Sequence, residues 1–263
     1  MSLIRLAHVS DIHFGGEHVG AVAAAAERIA AEPLDLIVAS GDLTQFGECA
    51  EFDAAKRWLE SLPQDKLVLP GNHDAPYLQP IARVFTPWNR YRQAFGEPSA
   101  GRYTKQGLTV VSLNSARGAQ PRLNWSKGQV SARQARDAAA AIRTAPQGDL
   151  KIVSCHHPLE EITGGPMTAK VWGGGPAARA FAEAGADLVL SGHIHVPFVH
   201  AFPYANGRTQ SVGAGTLSVR ERGCPPSFNL IEADEAEIRV IALQFTGSHF
   251  EPMRTWAVSR FQT

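Results

Sequence analysis

Between residues 4 and 70 the chain alternates short apolar runs with longer helical segments, and this limits the fold more than any other feature. "IRLAHVS" (4–10), "DLIVAS" (35–40) and "KLVLP" (66–70) are apolar runs of strand length. Between them lie "EHVGAVAAAAERIAAE" (17–32) and "ECAEFDAAKRWLESL" (48–62). In the first, Val22, Ile29 and Ala30 form one face; in the second, Phe52, Ala55, Leu59 and Leu62 recur at helical spacing. A β-α-β-α-β order implies parallel strands joined by crossover helices. The middle repeats it more loosely, with strands over 108–114, 150–156 and 187–193 and helices over 131–145 and 176–185. Ser131 and Gln134 stand at capping-box spacing ahead of the first of these helices. Beyond residue 209, the runs 209–219, 227–233 and 237–245 read as strands with little helix. No internal repeat or low-complexity linker interrupts the chain. The expectation is one domain over 1–263, built on two sheets.

The strand exits carry the chemistry. The first apolar run ends in "SDIH", the second in "SGDLT", the third in "PGNHD", the 150s run in "CHHP" and the 187–191 run in "SGHIH". In an open α/β sheet ligands bind outside the carboxyl ends of the strands. Each fragment alone reads as a turn: Asp42 as an Asx-turn residue, Asn72 as a residue tolerating a left-handed turn, "HHP" as an extended pair before proline. Five such turns at five equivalent exits need a common cause. Neutral imidazole, carboxylate and amide oxygen are good ligands for divalent cations. The number of candidates exceeds what one tetrahedral ion takes, which points to two. A pair of ions about 3.5–4 Å apart can clamp a phosphoryl group.

Composition restricts the partners. Lys plus Arg and Asp plus Glu both number 25, so the net charge is zero with histidine neutral. That gives no support to a nucleic-acid track or an anionic membrane surface. Three cysteines without C-x-x-C spacing do not form a disulfide framework, and a reducing, cytoplasmic setting is expected. No apolar h-region follows Met1, and no run of about 18 apolar residues suggests a membrane span.

In their order, Asp-x-His, Gly-Asp, Gly-Asn-His-Asp, His-His-Pro and Gly-His-x-His resemble the calcineurin-like metallophosphoesterase superfamily over most of the chain, from Asp11 to His195. "HVSDIHFG", "ASGDLTQFGE" and "LNSARG" are most similar to bacterial class III cyclic-nucleotide and glycerophosphodiester phosphodiesterases. The resemblance implies an α/β fold, a four-layer α/β/β/α sandwich of two mixed sheets flanked by helices. It implies two divalent or trivalent metal ions (Mn, Fe or Zn). Asp11, His13 and His195 would hold the first, Asn72, His156 and His193 the second, and Asp42 would bridge them. His73 would be the catalytic side chain over the substrate, stabilising or protonating phosphoryl and leaving-group oxygens. The implied reaction is cleavage of a small phosphodiester by hydroxide activated at the two ions. A phosphomonoesterase, a nuclease and a non-catalytic scaffold of the same fold are the rivals, and both monomer and homo-oligomer stay open.

Other residues have two readings. Asp74 either orients His73 or stabilises its turn. Asn114, Ser115 and Arg117 leave a strand at the same edge, and Arg117 is either a phosphate partner or a loop arginine. The glycine-rich stretch 160–180 is either a mobile lid or a loop leading to a helix near Pro176. Cys155 and the set Trp88, Tyr91 and Phe95 fit packing better than chemistry.

Overall fold

The computed structural model describes residues 3–99, 101–161 and 171–260. Its elements are β1 (Ile4–Val9), α1 (Val19–Ala30), β2 (Leu36–Ala39), α2 (Cys49–Glu60), β3 (Lys66–Val68), α3 (Pro80–Phe85), α4 (Asn89–Phe95), β4 (Arg102–Lys105) and β5 (Leu108–Ser112). They continue with α5 (Ala132–Arg143), β6 (Leu150–Ser154), α6 (Gly174–Glu183), β7 (Leu188–Ser191), β8 (Phe198–Ala201), β9 (Gln210–Gly213), β10 (Ser227–Ala233), β11 (Glu237–Phe245) and β12 (Phe250–Ser259). Two six-stranded mixed sheets form, in the orders β12-β11-β10-β1-β2-β3 and β4-β5-β6-β7-β9-β8. Parallel pairing runs through β1, β2 and β3 in one sheet and β5, β6, β7 and β9 in the other, with helices crossing over between all but the last pair.

The period-two rule explains the layers. Along β1, Leu6 faces the other sheet while Ala7 and Val9 face helices. One apolar cluster joins the sheets face to face, with Leu6, Val38 and Ile231 from one and Val110, Ile152 and Leu190 from the other. A second packs α1, α2 and α4 on the outside of the first sheet, and a third packs α5 and α6 on the outside of the second. The expected four-layer α/β/β/α sandwich is what the chain forms. Phe52, Ala55, Leu59 and Leu62 are buried as read, and Trp88, Tyr91 and Phe95 pack in the first sheet's outer core. Ser131 and Gln134 make the reciprocal capping box at the start of α5. Ala30 departs from expectation: it is exposed, and Ala21, Ala24 and Ala25 instead complete the buried face with Val22 and Ile29.

Three strands were not anticipated: β4, β8 and β12. Each is the outermost strand of its sheet. An edge strand is covered on fewer sides, so its apolar signal is weak. Along β12 only Phe250 is buried, and Pro252 sits where the register with β11 shifts, a place where an edge tolerates proline. Within 160–180, α6 begins at Gly174 with Gly173 as its N-cap; residues 162–170, on which the lid expectation falls, lie outside the described residues.

Candidate metal centre

Every candidate ligand stands just past the end of a parallel strand. Asp11 and His13 follow β1, Asp42 follows β2, Asn72 follows β3, His156 follows β6, and His193 and His195 follow β7. All seven are buried, and the two sheets bring the aspartates and histidines among them to one place. Ligand atoms of Asp11, His13 and His195 lie within 4.8 Å of one another, as do those of Asp11, Asp42 and His156. One Asp42 oxygen serves both sides: Oδ2 is 3.8 Å from His13 Nε2 and 3.3 Å from His156 Nε2.

The backbone is bent to achieve this. Asp11, His13, Asp42, His193 and His195 have φ of 53°, 52°, 51°, 70° and 62°. Among the described residues Ala205 alone joins them as a non-glycine with positive φ. The left-handed region costs an ordinary L-residue about 1–2 kcal/mol. Aspartate and histidine are enriched there, and such conformations gather at functional sites. The glycines preceding the ligands allow the loops to touch. A Cβ on Gly41, whose φ is +100°, would stand 2.6 Å from the Gly71 amide nitrogen and 2.7 Å from His156 Nδ1. A Cβ on Gly71 would overlap Asp42, and one on Gly192 would overlap Ser10 and Asp11.

Hydrogen bonds aim the imidazoles. His13 Nδ1 donates to the Thr44 carbonyl (3.3 Å), His156 Nδ1 to the Ser40 carbonyl (2.8 Å) and His195 Nδ1 to the Arg220 carbonyl (2.8 Å). Each bond turns Nε2 toward the cluster, as in metal sites with oriented histidines. His13 Nε2 and His195 Nε2 lie 3.4 Å apart. Asn72 Oδ1 and His193 Nε2 are buried with no hydrogen-bond partner, while Asp11 Oδ1 stands 3.1 Å from His195 Nε2 and His156 Nε2 3.3 Å from Asp42 Oδ2. Buried polar atoms without partners are rare and call for an ion or water. These residues fit divalent cations.

The charge states agree. Burial pushes His13 and His193 down to about 3, so both are neutral, the form that coordinates. Burial works against the charges of Asp11 and Asp42, but His195 beside the first and His156 beside the second hold both carboxyls below the usual range. Burial also opposes a charge on His156, yet Asp42 next to it lifts it to about 9. A cation beside Asp42 would displace that proton.

His157 also falls within ligand distance of His156 and His193. Both its ring nitrogens are already used: Nε2 donates to the Ser126 carbonyl (2.8 Å) and Nδ1 accepts from Ser115 Oγ (2.9 Å). This leaves His156 as the candidate of the pair and gives Ser115 a structural task. Asn114 caps its own turn, and Arg117 donates to the Asn114 and Ala116 carbonyls and to Gln134 at the start of α5, so Arg117 holds a loop to a helix. Cys155 is buried, as expected of a packing residue. Asp74 does not touch the His73 ring. Its carboxylate accepts from the amides of Gly71, Leu43 and Thr44 and from Thr44 Oγ1, tying two strand exits together. Burial and nearby Asp42 raise it to about 7 against these four donors.

Three contributors were invisible in the sequence. The Gln45 carbonyl accepts from His73 Nδ1 at 2.7 Å, and the Arg220 guanidinium reaches His73 Nε2 at 3.0 Å. Buried Arg83 donates to the carbonyls of Asn72, Ala75 and Gly118, fixing the loop that carries Asn72. All three arise from contacts between segments far apart in the chain, and the residues themselves are unremarkable in type.

A two-sheet sandwich with aspartate, asparagine and histidine side chains converging from parallel strand ends is the architecture of a metallophosphoesterase. The chain belongs to the calcineurin-like phosphoesterase family, whose model matches residues 4–197. It is 28% identical over 172 residues to a probable cyclic nucleotide phosphodiesterase of a Synechococcus species, a match spanning 63% of this chain and 59% of that relative. Its fold is similar to a dimetal phosphatase from Danio rerio (TM-score 0.68, 10% identity, 98% of this chain and 99% of that one). It is also similar to the purple acid phosphatase PPD1 of yellow lupin (TM-score 0.69, 13% identity, 98% of this chain and 54% of that one). Among the described residues no helix is long and apolar enough to cross a membrane.

Proposed function

We propose that the chain is a phosphodiesterase acting on small phosphodiesters, with two cations held at the convergent strand ends. Asp11, His13 and His195 would bind one, Asn72, His156 and His193 the other, and Asp42 both. The observation that carries this reading is the convergence of buried aspartate and histidine ligand atoms, with Asn72 Oδ1 and His193 Nε2 left without partners and two imidazole nitrogens 3.4 Å apart. Nitrogen and oxygen donors without thiolate suit Mn, Fe or Zn. When bound, such ions draw electron density from phosphoryl oxygens and lower the pKa of neighbouring water.

The chain's own groups do the rest. Asp42 Oδ1 accepts the His73 amide at 2.8 Å, so the bridging carboxylate and the catalytic loop are held as one piece. His73 is the proposed catalytic side chain. Its Nδ1–H is committed to Gln45, which aims Nε2 at the cleft and at Arg220. Burial holds His73 below its ordinary value, with Arg220 adding to the effect, so the ring is neutral and Nε2 is an acceptor. Its acceptor Nε2 steadies the positive guanidinium of Arg220 where phosphoryl charge grows.

Support for a diester comes from the Synechococcus relative's name and from the resemblance of the strand-exit segments to bacterial phosphodiesterases. Zero net charge disfavours a nuclease. The presence of all seven ligands disfavours a scaffold. We treat residues 1–263 as one domain because one apolar cluster joins both sheets, and place it in the cytoplasm because Cys49, Cys155 and Cys224 are unpaired. The test compares bis-p-nitrophenyl phosphate with p-nitrophenyl phosphate on protein supplied with Mn²⁺. Faster turnover of the diester is expected. Faster turnover of the monoester replaces the diesterase with a phosphatase, and no turnover of either by metal-loaded protein leaves the scaffold.

A further inference from the structure

Helix α3 is built inside out. Arg83 is only 5% exposed, because its guanidinium donates to the carbonyls of Asn72, Ala75 and Gly118. Residues two places apart in a helix lie on nearly opposite sides. The register that buries Arg83 therefore turns Ile81 and Phe85 outward. They are 77% and 78% exposed, and Val84 and the preceding Leu78 are exposed as well. A surface helix ordinarily shows the reverse pattern.

The exposed apolar side chains are concentrated here. Among the described residues ten large ones are exposed; five lie between Tyr77 and Phe85. A sixth, fully exposed Leu123, lines the same cleft as Tyr77 and Pro80. Apolar side chains scattered singly on a surface need no explanation, but a contiguous patch marks an interaction site.

Charge distinguishes what such a patch can meet. The zero net charge of the whole chain conceals an uneven distribution: between Asp74 and Asp137 stand ten lysines and arginines and a single acid, Glu97. This segment carries α3, α4 and the edge strand β4, and Arg83 ties α3 to Gly118 in the loop before α5. Arg83 and Arg117 donate to carbonyl and amide oxygens, neutral partners that leave their charge in place. An apolar patch set in a basic segment matches an anionic lipid surface, which takes both. A second copy docked about a two-fold axis would set the basic segment against itself. A nucleic acid would meet the arginines but leave Leu78, Ile81 and Leu123 against phosphates.

We propose that the outward face of α3, with Leu78 and Leu123, docks on an anionic lipid bilayer. Ile81 and Phe85 enter the boundary between headgroups and acyl chains, and the basic segment faces the headgroups. Contact of this kind lies on the membrane surface and needs no spanning helix. Because Tyr77 and Leu123 belong both to the patch and to the cleft lining, the cleft opens at the bilayer. The proposal does not depend on the phosphodiesterase reading.

The test is sedimentation of the full chain with vesicles of equal parts phosphatidylglycerol and phosphatidylcholine, and with vesicles of phosphatidylcholine alone. Binding to the anionic vesicles only, weakened by added salt, is expected. Phe85→Ser and Ile81→Ser should each lower the partition coefficient about tenfold, the contribution of burying one large apolar side chain. Neither should lower Tm, since both side chains are exposed. Val19→Ser removes an apolar side chain of similar exposure, 73%, from α1 and should leave partitioning unchanged. The proposal is overturned by no binding to anionic vesicles, by equal binding to neutral ones, or by Phe85→Ser binding like the unaltered chain. A loss in Val19→Ser equal to that in Phe85→Ser overturns it too. So does a lipid-free dimer, seen by analytical ultracentrifugation, that Phe85→Ser dissociates, or duplex DNA binding that Phe85→Ser weakens as much as vesicle binding.

Discussion

Gly71→Ala is a one-methyl test of how the strand exits fit together. Gly71 does not occupy the left-handed region, so alanine there adds no backbone strain of that kind. The added Cβ would overlap Asp42 Oδ1 and the Asp42 amide nitrogen and would stand 2.8 Å from Asp42 Cγ. The side chain can turn away; the amide cannot. Overpacking costs about 1–3 kcal/mol, and collision with backbone places this case near 3 kcal/mol. For 263 residues at about 2.1 cal/mol/K each, the unfolding entropy is about 0.55 kcal/mol/K, so Tm should fall by about 5 °C. Gly148→Ala is the control. Its φ is +88° and a Cβ there meets nothing within 4 Å, so it carries only the left-handed cost of about 1 kcal/mol, or about 2 °C. Differential scanning fluorimetry reads both shifts, with chelator and with Mn²⁺. Because Asp42 must move in Gly71→Ala and not in Gly148→Ala, only the former should also show a smaller rise in Tm on adding Mn²⁺. If Gly71→Ala melts and responds to Mn²⁺ like the unaltered chain, the two loops do not touch as described and Asp42 is not held by them.

Asp42→Asn should reduce bound metal from the proposed two ions per chain to one or fewer, read by plasma mass spectrometry, since a single oxygen faces both His13 and His156. The adjacent histidines should separate: His156→Ala should lose metal, whereas His157→Ala should keep its stoichiometry and lose about 2–3 kcal/mol of stability through its bonds to Ser115 and Ser126, measured by urea unfolding. Arg83→Met should cost about 3 kcal/mol in the same assay, because three carbonyls lose one buried donor, and should weaken metal binding through the Asn72 loop. Burial raises the Cys155 thiol to about 12, so it stays protonated and shielded through pH 8.5; iodoacetamide should label exposed Cys49 and spare Cys155 until denaturant is added, as peptide mass spectrometry will show.

The parts of the fold that could be read in advance share one property: their signal is local. β2 is fully buried and reads as an unbroken apolar run, and β1 and β3 are apolar apart from Arg5, His8 and Lys66. The candidate ligands were legible for a related reason. Asp11 and His13, Asn72 and His73, and His193 and His195 each lie within three residues at a strand exit, so polarity changes abruptly where an apolar run stops. β4, β8 and β12 were not legible because edge strands bury little, as the exposed Arg254, Thr255 and Ala257 side of β12 shows. Arg220 and Arg83 were not legible because their meaning comes from partners 147 and 35 positions away, His73 and Gly118. Asp74 sat beside its supposed partner in sequence and turned away from it in space, toward Leu43 and Thr44.

One physical link connects the glycines, the bent ligands and the unpartnered atoms. A strand exit could satisfy its polar side chains at little cost by turning them toward water. Here Asp11, His13, Asp42, His193 and His195 instead take the left-handed region, which aims them inward, and Gly41, Gly71 and Gly192 remove the Cβ atoms that would keep the loops apart. The outcome is a buried polar cluster in which Asn72 Oδ1 and His193 Nε2 lack partners, which is costly. Backbone strain and unsatisfied polar atoms oppose folding, and bound cations would offset that cost. Stability at the strand exits and affinity for metal are therefore one quantity seen from two sides. A substitution such as Gly71→Ala, which touches no proposed ligand nitrogen or oxygen by chemistry, should still change both together.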